Sequence, residues 1–119
     1  MLFKISNFYL KKTDHKNRSS LEIVRDILLV ASEKIKKTRI LYDAHLNYHL
    51  LEKYLGILLK NDYLATVDDS CYLVTFKGKC FLKKYKVHHE RCIRIGEEIM
   101  DVHKEKMTLK NMCFNNKPN

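Results

Sequence analysis

Apolar residues recur at helical intervals from Leu21 onward, and Leu21, Val24, Ile27, Leu28 and Ala31 predict a first helix over about residues 20–33. Ser19 and Glu22 stand at capping-box spacing, where each side chain can satisfy a backbone donor at the helix start. Glu33-Lys34-Ile35-Lys36-Lys37 breaks the pattern. Thr38 can then cap a short second helix through Ala44, with Ile40, Leu41 and Ala44 turned inward. After a tighter break, Asn47 is the next capping residue, and Leu51, Leu55 and Leu58 form the inner stripe of a third helix reaching about Lys60. His49, Lys53, Gly56 and Lys60 line its opposite side, so this helix is apolar within and basic without.

Asn61-Asp62 ends the third helix, and the β-branched and aromatic runs Tyr63–Val67 and Cys71–Val74 predict a small β-hairpin around Asp68-Asp69-Ser70. Thr75 caps a long final helix. In it Phe81, Tyr85, His88, Cys92, Ile95, Ile99 and Val102 alternate steps of four and three over three heptads, a seam that calls for a partner helix. Gly78 and Gly96 cost roughly 1 kcal/mol of helicity each without interrupting it. The expected organisation is an arm over residues 1–18, a folded unit over 19–76, a dimerisation helix over 77–110 and a disordered tail over 111–119.

The chain has 119 residues, enough for one core. Its 23 Lys and Arg against 14 Asp and Glu give a net charge of +9, beyond what solubility requires, which points to a polyanionic partner. No stretch approaches the roughly 18 apolar residues of a membrane span, and the apolar opening Leu2–Leu10, cut by Lys4 and Ser6-Asn7, lacks the layout of an export signal. Cys71, Cys80, Cys92 and Cys113 fit neither a dense disulfide framework nor a paired C-x-x-C zinc site, so reduced thiols in a cytosol are the simplest account.

Three helices, a tight break between the second and third, and a hairpin after the third give the order of a winged helix-turn-helix, in which the third helix enters a DNA major groove. The fold class is therefore mainly α with a small β-hairpin, a winged helix-turn-helix followed by a long C-terminal coiled-coil dimerisation helix. The alternative for the third helix is an amphipathic surface helix with solvated lysines. Lys34, Lys36, Lys37 and Arg39, concentrated before and at the start of the second helix, tip the balance as candidate phosphate contacts.

Thr38-Arg39-Ile40-Leu41-Tyr42-Asp43-Ala44-His45-Leu46-Asn47-Tyr48, then Leu51, Tyr54-Leu55 and Leu58-Leu59, then Tyr72–Gly78, Phe81-Leu82 and Tyr85, resemble the small archaeal winged-helix DNA-binding proteins. The resemblance covers roughly residues 19–105 and leaves out the N-terminal arm. It implies a chromatin protein or transcriptional regulator that dimerises through an antiparallel coiled coil of its C-terminal helix. It also implies that Arg39, Asn47, Tyr48, His49 and Lys53 lie at or near the DNA-facing surface, while Tyr42 and Ala44 are structural.

Asp68-Asp69 departs from wings that grip DNA with Lys or Arg, and would repel phosphates unless the wing points away. Lys77, Lys79, Lys83, Lys84, Lys86, Arg91 and Arg94 face only Glu90 along the last helix; they are either a second phosphate-contacting surface or lysine stems covering a coiled-coil edge. His88 and Cys92 lie one turn apart on the seam, where a packed interface is favoured over a metal site. Tyr42, Tyr48, Tyr54, Tyr63, Tyr72 and Tyr85 are expected in the core rather than stacking on bases, with Tyr48 the best exception. No phosphate-binding glycine motif, dinucleotide fingerprint or nucleophile elbow is present, so no enzyme activity, metal or cofactor is expected.

The reading is a cytoplasmic, nucleoid-associated homodimer on double-stranded DNA, needing no membrane or small-molecule ligand. Tyr48, His49, Glu52 and Lys53 are its candidates for base edges, and Lys34, Lys36, Lys37 and Arg39 for phosphates. The competing reading is a winged-helix protein-interaction module whose positive charge serves acidic partners, which the acidic wing favours.

Overall fold

A computed structural model describes residues 18–114. Residues 1–17 of the expected arm (1–18) and residues 115–119 of the expected tail (111–119) lie outside the described residues. Two units divide between Val87 and His88, within the last helix.

In the first unit, α1 (Ser20–Val30) starts on the anticipated capping box. The Glu22 N–H donates to Ser19 Oγ at 3.2 Å, and the Ser19 N–H donates back to Glu22 Oε1 at 3.0 Å. The helix stops at Val30, three residues short of expectation, because the chain turns to form β1 (Ile35–Lys36). This strand pairs antiparallel with β3 (Cys71–Val74), Ile35 opposite Tyr72, and β3 pairs with β2 (Leu64–Val67), giving a three-stranded sheet ordered β1-β3-β2. Periodicity does not predict β1: two residues are too short for strand alternation, and its lone apolar residue sits among lysines.

Helix α2 (Lys37–Asp43) begins one residue before the expected Thr38 cap; Lys36 occupies the N-cap with no side-chain hydrogen bond, and Thr38 lies in the first turn. Helix α3 (Tyr48–Lys60) starts on Asn47 as expected, the Leu50 N–H donating to Asn47 Oδ1 at 2.8 Å. Ile27, Leu28, Ile40, Leu51 and Leu58 form the fully buried centre of the core, with Leu64 and Val74 closing it from the sheet. The Val74 N–H donates to the Ala31 carbonyl at 2.8 Å, fixing β3 to the end of α1.

Between β2 and β3, Asp68 and Asp69 take φ of 47° and 63°. Asp tolerates this left-handed region better than most residues, so the turn itself accounts for an acidic pair at the wing tip.

Helix α4 (Phe76–Phe114) starts on Thr75, whose Oγ1 accepts the Gly78 N–H at 3.1 Å. Gly78 does more than lower helicity: a Cβ there would lie 2.5 Å from the Tyr63 carbonyl oxygen and 2.6 Å from Val74 Cγ2, so the first turn of α4 rests directly on the backbone just before β2 and on the Val74 side chain at the end of β3. The helix continues to Phe114, which corrects the expected boundary at 110: Asn111–Phe114 are helical rather than disordered.

Candidate nucleic-acid interface

The break between α2 and α3 is built from backbone hydrogen bonds. The His45 N–H donates to the Tyr42 carbonyl at 3.2 Å and the Leu46 N–H to the Leu41 carbonyl at 3.0 Å, a Schellman closure with His45 at φ 53° where glycine is usual. Arg18 secures the same corner. Its guanidinium pairs with Asp26 at 2.6 Å and donates to the carbonyls of Ala44 at 2.8 Å and His45 at 2.6 Å, where the C-terminal end of α2 carries partial negative charge. Arg18, expected in the arm, is therefore part of the folded unit.

This corner sets which side of α3 faces outward. Leu51, Tyr54, Leu55 and Leu58 are buried, while Asn47, Tyr48, His49, Glu52, Lys53, Gly56 and Lys60 are exposed. The inner stripe and the basic outer stripe thus fall as the periodicity predicts. Asn47 commits its side-chain oxygen to the cap, and the Lys53 ammonium lies 5.6 Å from the centre of the Tyr54 ring.

Three of the four candidate phosphate contacts carry a carboxylate of their own. Lys34 pairs with Asp68 at the wing tip at 2.5 Å, Lys37 pairs with Glu52, and Arg39 pairs with Asp43 at 3.0 Å. Lys36 is exposed, with no acidic partner among the described residues. The hydrogen bond from Lys34 to Asp68, with the attraction of the two charges, holds the ammonium pKa above its ordinary value. Solvent screens exposed pairs such as Lys34–Asp68 and Arg39–Asp43, so a phosphate can displace the acid from either. Asp68, expected to repel phosphate, instead neutralises a neighbouring lysine. Lys37 also lies 5.2 Å from the centre of the Tyr48 ring, so Lys37, Tyr48 and Glu52 form one cluster joining α2 to α3.

Tyr42 is not structural in the sense expected. It is 73% exposed at the end of α2, consistent with a position off the Ile40, Leu41, Ala44 stripe that the spacing already defined. Tyr48 is exposed too, whereas Tyr54 is buried and Tyr63, Tyr72 and Tyr85 are half-buried. Phe76, at the start of α4, is an exposed aromatic that the periodicity left unremarked.

On α4, Phe81 and Tyr85 face their own domain. Phe81 meets Tyr63 edge-on with ring centres 6.0 Å apart and stacks with Tyr85 at 6.1 Å, and the Arg25 guanidinium lies 5.3 Å from the centre of the Tyr85 ring. Burial pushes the Tyr85 pKa up, only partly opposed by Arg25. Burial works against the Arg25 charge, but the adjacent Asp26 carboxylate more than offsets it and the guanidinium pKa is raised.

In the second unit His88 is exposed and Cys92 half-buried, with Cys92 Sγ 3.5 Å from His88 Nε2; Ile95 and Val102 are exposed and Ile99 half-buried. Among the described residues no three His, Cys, Asp or Glu side chains are grouped to hold a metal, and the four thiols are unbridged. Lys79, Lys83, Lys84, Lys86, Arg91 and Arg94 are exposed, while Lys77 donates to the Asn61 carbonyl at 3.0 Å and lies 4.7 Å from the centre of the Tyr63 ring. No helix among the described residues is long and apolar enough to cross a membrane.

A family profile described as winged helix-turn-helix matches residues 17–92. Among solved structures, the chain is similar to Sso10a-2, a DNA-binding protein from Sulfolobus solfataricus, at 34% identity and a TM-score of 0.56, covering 77% of this chain and 96% of that one. It shares its fold with the adhesin competence repressor AdcR of Streptococcus pyogenes, at 18% identity and a TM-score of 0.52, over 93% of this chain and 88% of that one. A MarR-family transcriptional regulator from Silicibacter pomeroyi is likewise similar in fold, at 17% identity and a TM-score of 0.51, over 99% and 86%. No curated protein matches the chain.

Proposed function

The chain belongs to the winged helix-turn-helix family, and from that premise we propose that it is a double-stranded-DNA-binding protein, a transcriptional regulator or chromatin-type architectural protein, acting as a homodimer in the cytoplasm. It works by binding rather than by catalysis. The observation that carries this reading is the outward face of α3, where Tyr48, His49, Glu52 and Lys53 are exposed over a buried Leu51, Tyr54, Leu55 and Leu58. The first turns of such a helix are those that reach base edges in a major groove. Asn47 caps that helix at the same surface. Lys34, Lys36, Lys37 and Arg39 line the phosphate-facing edge; a phosphate displaces Asp68 from Lys34 and Asp43 from Arg39, while Lys37 stays engaged by Glu52. The 34% identity to an archaeal DNA-binding protein supports the same assignment.

Homodimerisation is assigned to the seam Phe81, Tyr85, His88, Cys92, Ile95, Ile99 and Val102. Since Phe81 and Tyr85 also pack within their own domain, its main contribution comes from His88 onward. Ile95 and Val102 are apolar side chains that a paired helix would cover.

The competing reading, a protein-interaction module for acidic partners, draws on the own-chain acids paired with Lys34, Lys37 and Arg39. Titration of duplex binding against salt decides between the two. Three or more phosphate contacts per head give a log–log slope steeper than about −2.5, at about −0.9 per contact. A duplex affinity weaker than roughly 0.1 mM at physiological salt would favour the interaction module.

A further inference from the structure

Glu52 sits one turn into α3, and its Oε1 is tied to the ammonium of Lys37, the first residue of α2. The same ammonium lies 5.2 Å from the centre of the Tyr48 ring, one turn before Glu52. An unpartnered carboxylate on a surface meant for DNA would simply be pushed off by phosphates. Here the lysine, itself set against the Tyr48 ring, holds the acid in place and offsets its charge, and the remaining oxygen lone pairs are available as acceptors.

We propose that Glu52 is the specificity-determining residue of the reading helix, accepting a hydrogen bond from the exocyclic amino group of a cytosine, with Lys37 as its positioning residue. The inference rests on the DNA-binding reading above. The base follows from the groove chemistry. Cytosine presents only an amino donor on its major-groove edge; adenine presents a donor beside the N7 lone pair, which repels a carboxylate; thymine presents an acceptor and a methyl group; guanine presents two acceptors. A fixed carboxylate therefore ranks the bases cytosine first, adenine second, thymine third and guanine last. Lys37, engaged by Glu52, then serves sequence reading more than phosphate neutralisation.

The test is selection of bound duplexes from a random pool by the full-length wild type, E52Q and K37M, with thermal melting to show that each variant folds. The expected wild-type result is one position enriched in cytosine by roughly 5- to 10-fold over guanine. A glutamine carries a donor beside its acceptor and matches adenine N6 and N7, so E52Q moves that position toward adenine. K37M flattens the preference at the same position while leaving the salt slope unchanged. A wild type that binds tightly with no enriched position, or wild-type and E52Q pools that are the same, overturns the role of Glu52 and leaves DNA binding intact. A salt slope that drops by about one unit in K37M puts Lys37 on a phosphate and overturns its positioning role. Absence of duplex binding by the wild type overturns the proposed function, and this inference with it.

Discussion

Arg18 and Asp26 form an ion pair at 2.6 Å in which the arginine side chain is only 5% exposed, although Arg18 precedes the first helix. One guanidinium thereby joins the carboxylate on α1 to the carbonyls just past the end of α2, at Ala44 and His45. The angle at which α3 leaves that corner depends on both anchors, so a residue outside every helix and strand contributes to placing the outward face of α3.

Replacing Arg18 with Ala removes one of the two guanidinium partners of Asp26, which keeps Arg25 at 2.7 Å, and leaves two carbonyls without this donor; it is expected to lower stability by about 1–2 kcal/mol. Arg18→Lys recovers only part of the loss, because a single ammonium cannot reproduce the planar fork that serves a carboxylate and two carbonyls together. Urea unfolding followed by circular dichroism measures both. A change below about 0.5 kcal/mol in the alanine variant would show that the corner holds without Arg18.

Two glycines should respond in opposite directions. A methyl group at Gly78 would lie 2.5 Å from the Tyr63 carbonyl oxygen, so Gly78→Ala forces the start of α4 away from the segment leading into β2 and is expected to cost about 1–3 kcal/mol. Gly56 lies on the exposed side of α3, where an added Cβ would meet nothing within 4 Å, so Gly56→Ala gains about 0.5–1 kcal/mol of helix propensity. Melting temperatures of the two variants, compared with the wild type, check the sign of each.

The helices and the hairpin were legible because each carries a strong local signal: the Ser19–Glu22 box, the Asn47 cap, and the Leu51, Leu55, Leu58 stripe. Strand β1 was not, since what makes Ile35 and Lys36 a strand is β3, some 36 residues later in the chain. The outward residues of α3 were also legible, since burying one stripe exposes the other. Their ion-pair partners were not: Lys34–Asp68 and Lys37–Glu52 join residues 34 and 15 positions apart, which no periodicity encodes. Arg18 carries no signal within its polar run for the same reason, its partners being distant carbonyl groups rather than neighbours in sequence.

Stability should fall on the alkaline side in a way that Tyr85 controls. Burial raises the folded-state pKa of Tyr85 above the ordinary 10.0, so the folded protein holds the phenol proton more tightly than the unfolded chain does. That contribution is complete below about pH 10 and is lost as pH rises toward the folded-state value. Lys34, raised by Asp68, changes in the same direction, but it is exposed and adds little. Tyr85→Phe is expected to match the wild type near pH 7, since the Arg25 bond it removes is long at 3.4 Å, and to lose melting temperature less steeply between about pH 9 and 11. Equal alkaline slopes in the two proteins would remove Tyr85 from the account.

The last expectation concerns self-association. Ile95 and Val102 stand seven residues apart on α4, 47% and 63% exposed, and the homodimer proposed above covers both in each protomer. Burying an aliphatic side chain of this size is worth about 1.5–3 kcal/mol, so introducing a carboxylate at both positions should weaken the dimer by at least about 100-fold. Sedimentation equilibrium of the Ile95→Asp, Val102→Asp double variant reads this directly, with a folded monomer as the expected species. Duplex affinity should fall alongside, because two linked heads bind more tightly than either alone. A double variant that remains dimeric at micromolar concentration would move the interface off this stretch of α4, and a monomer with unchanged duplex affinity would show that each head binds DNA independently.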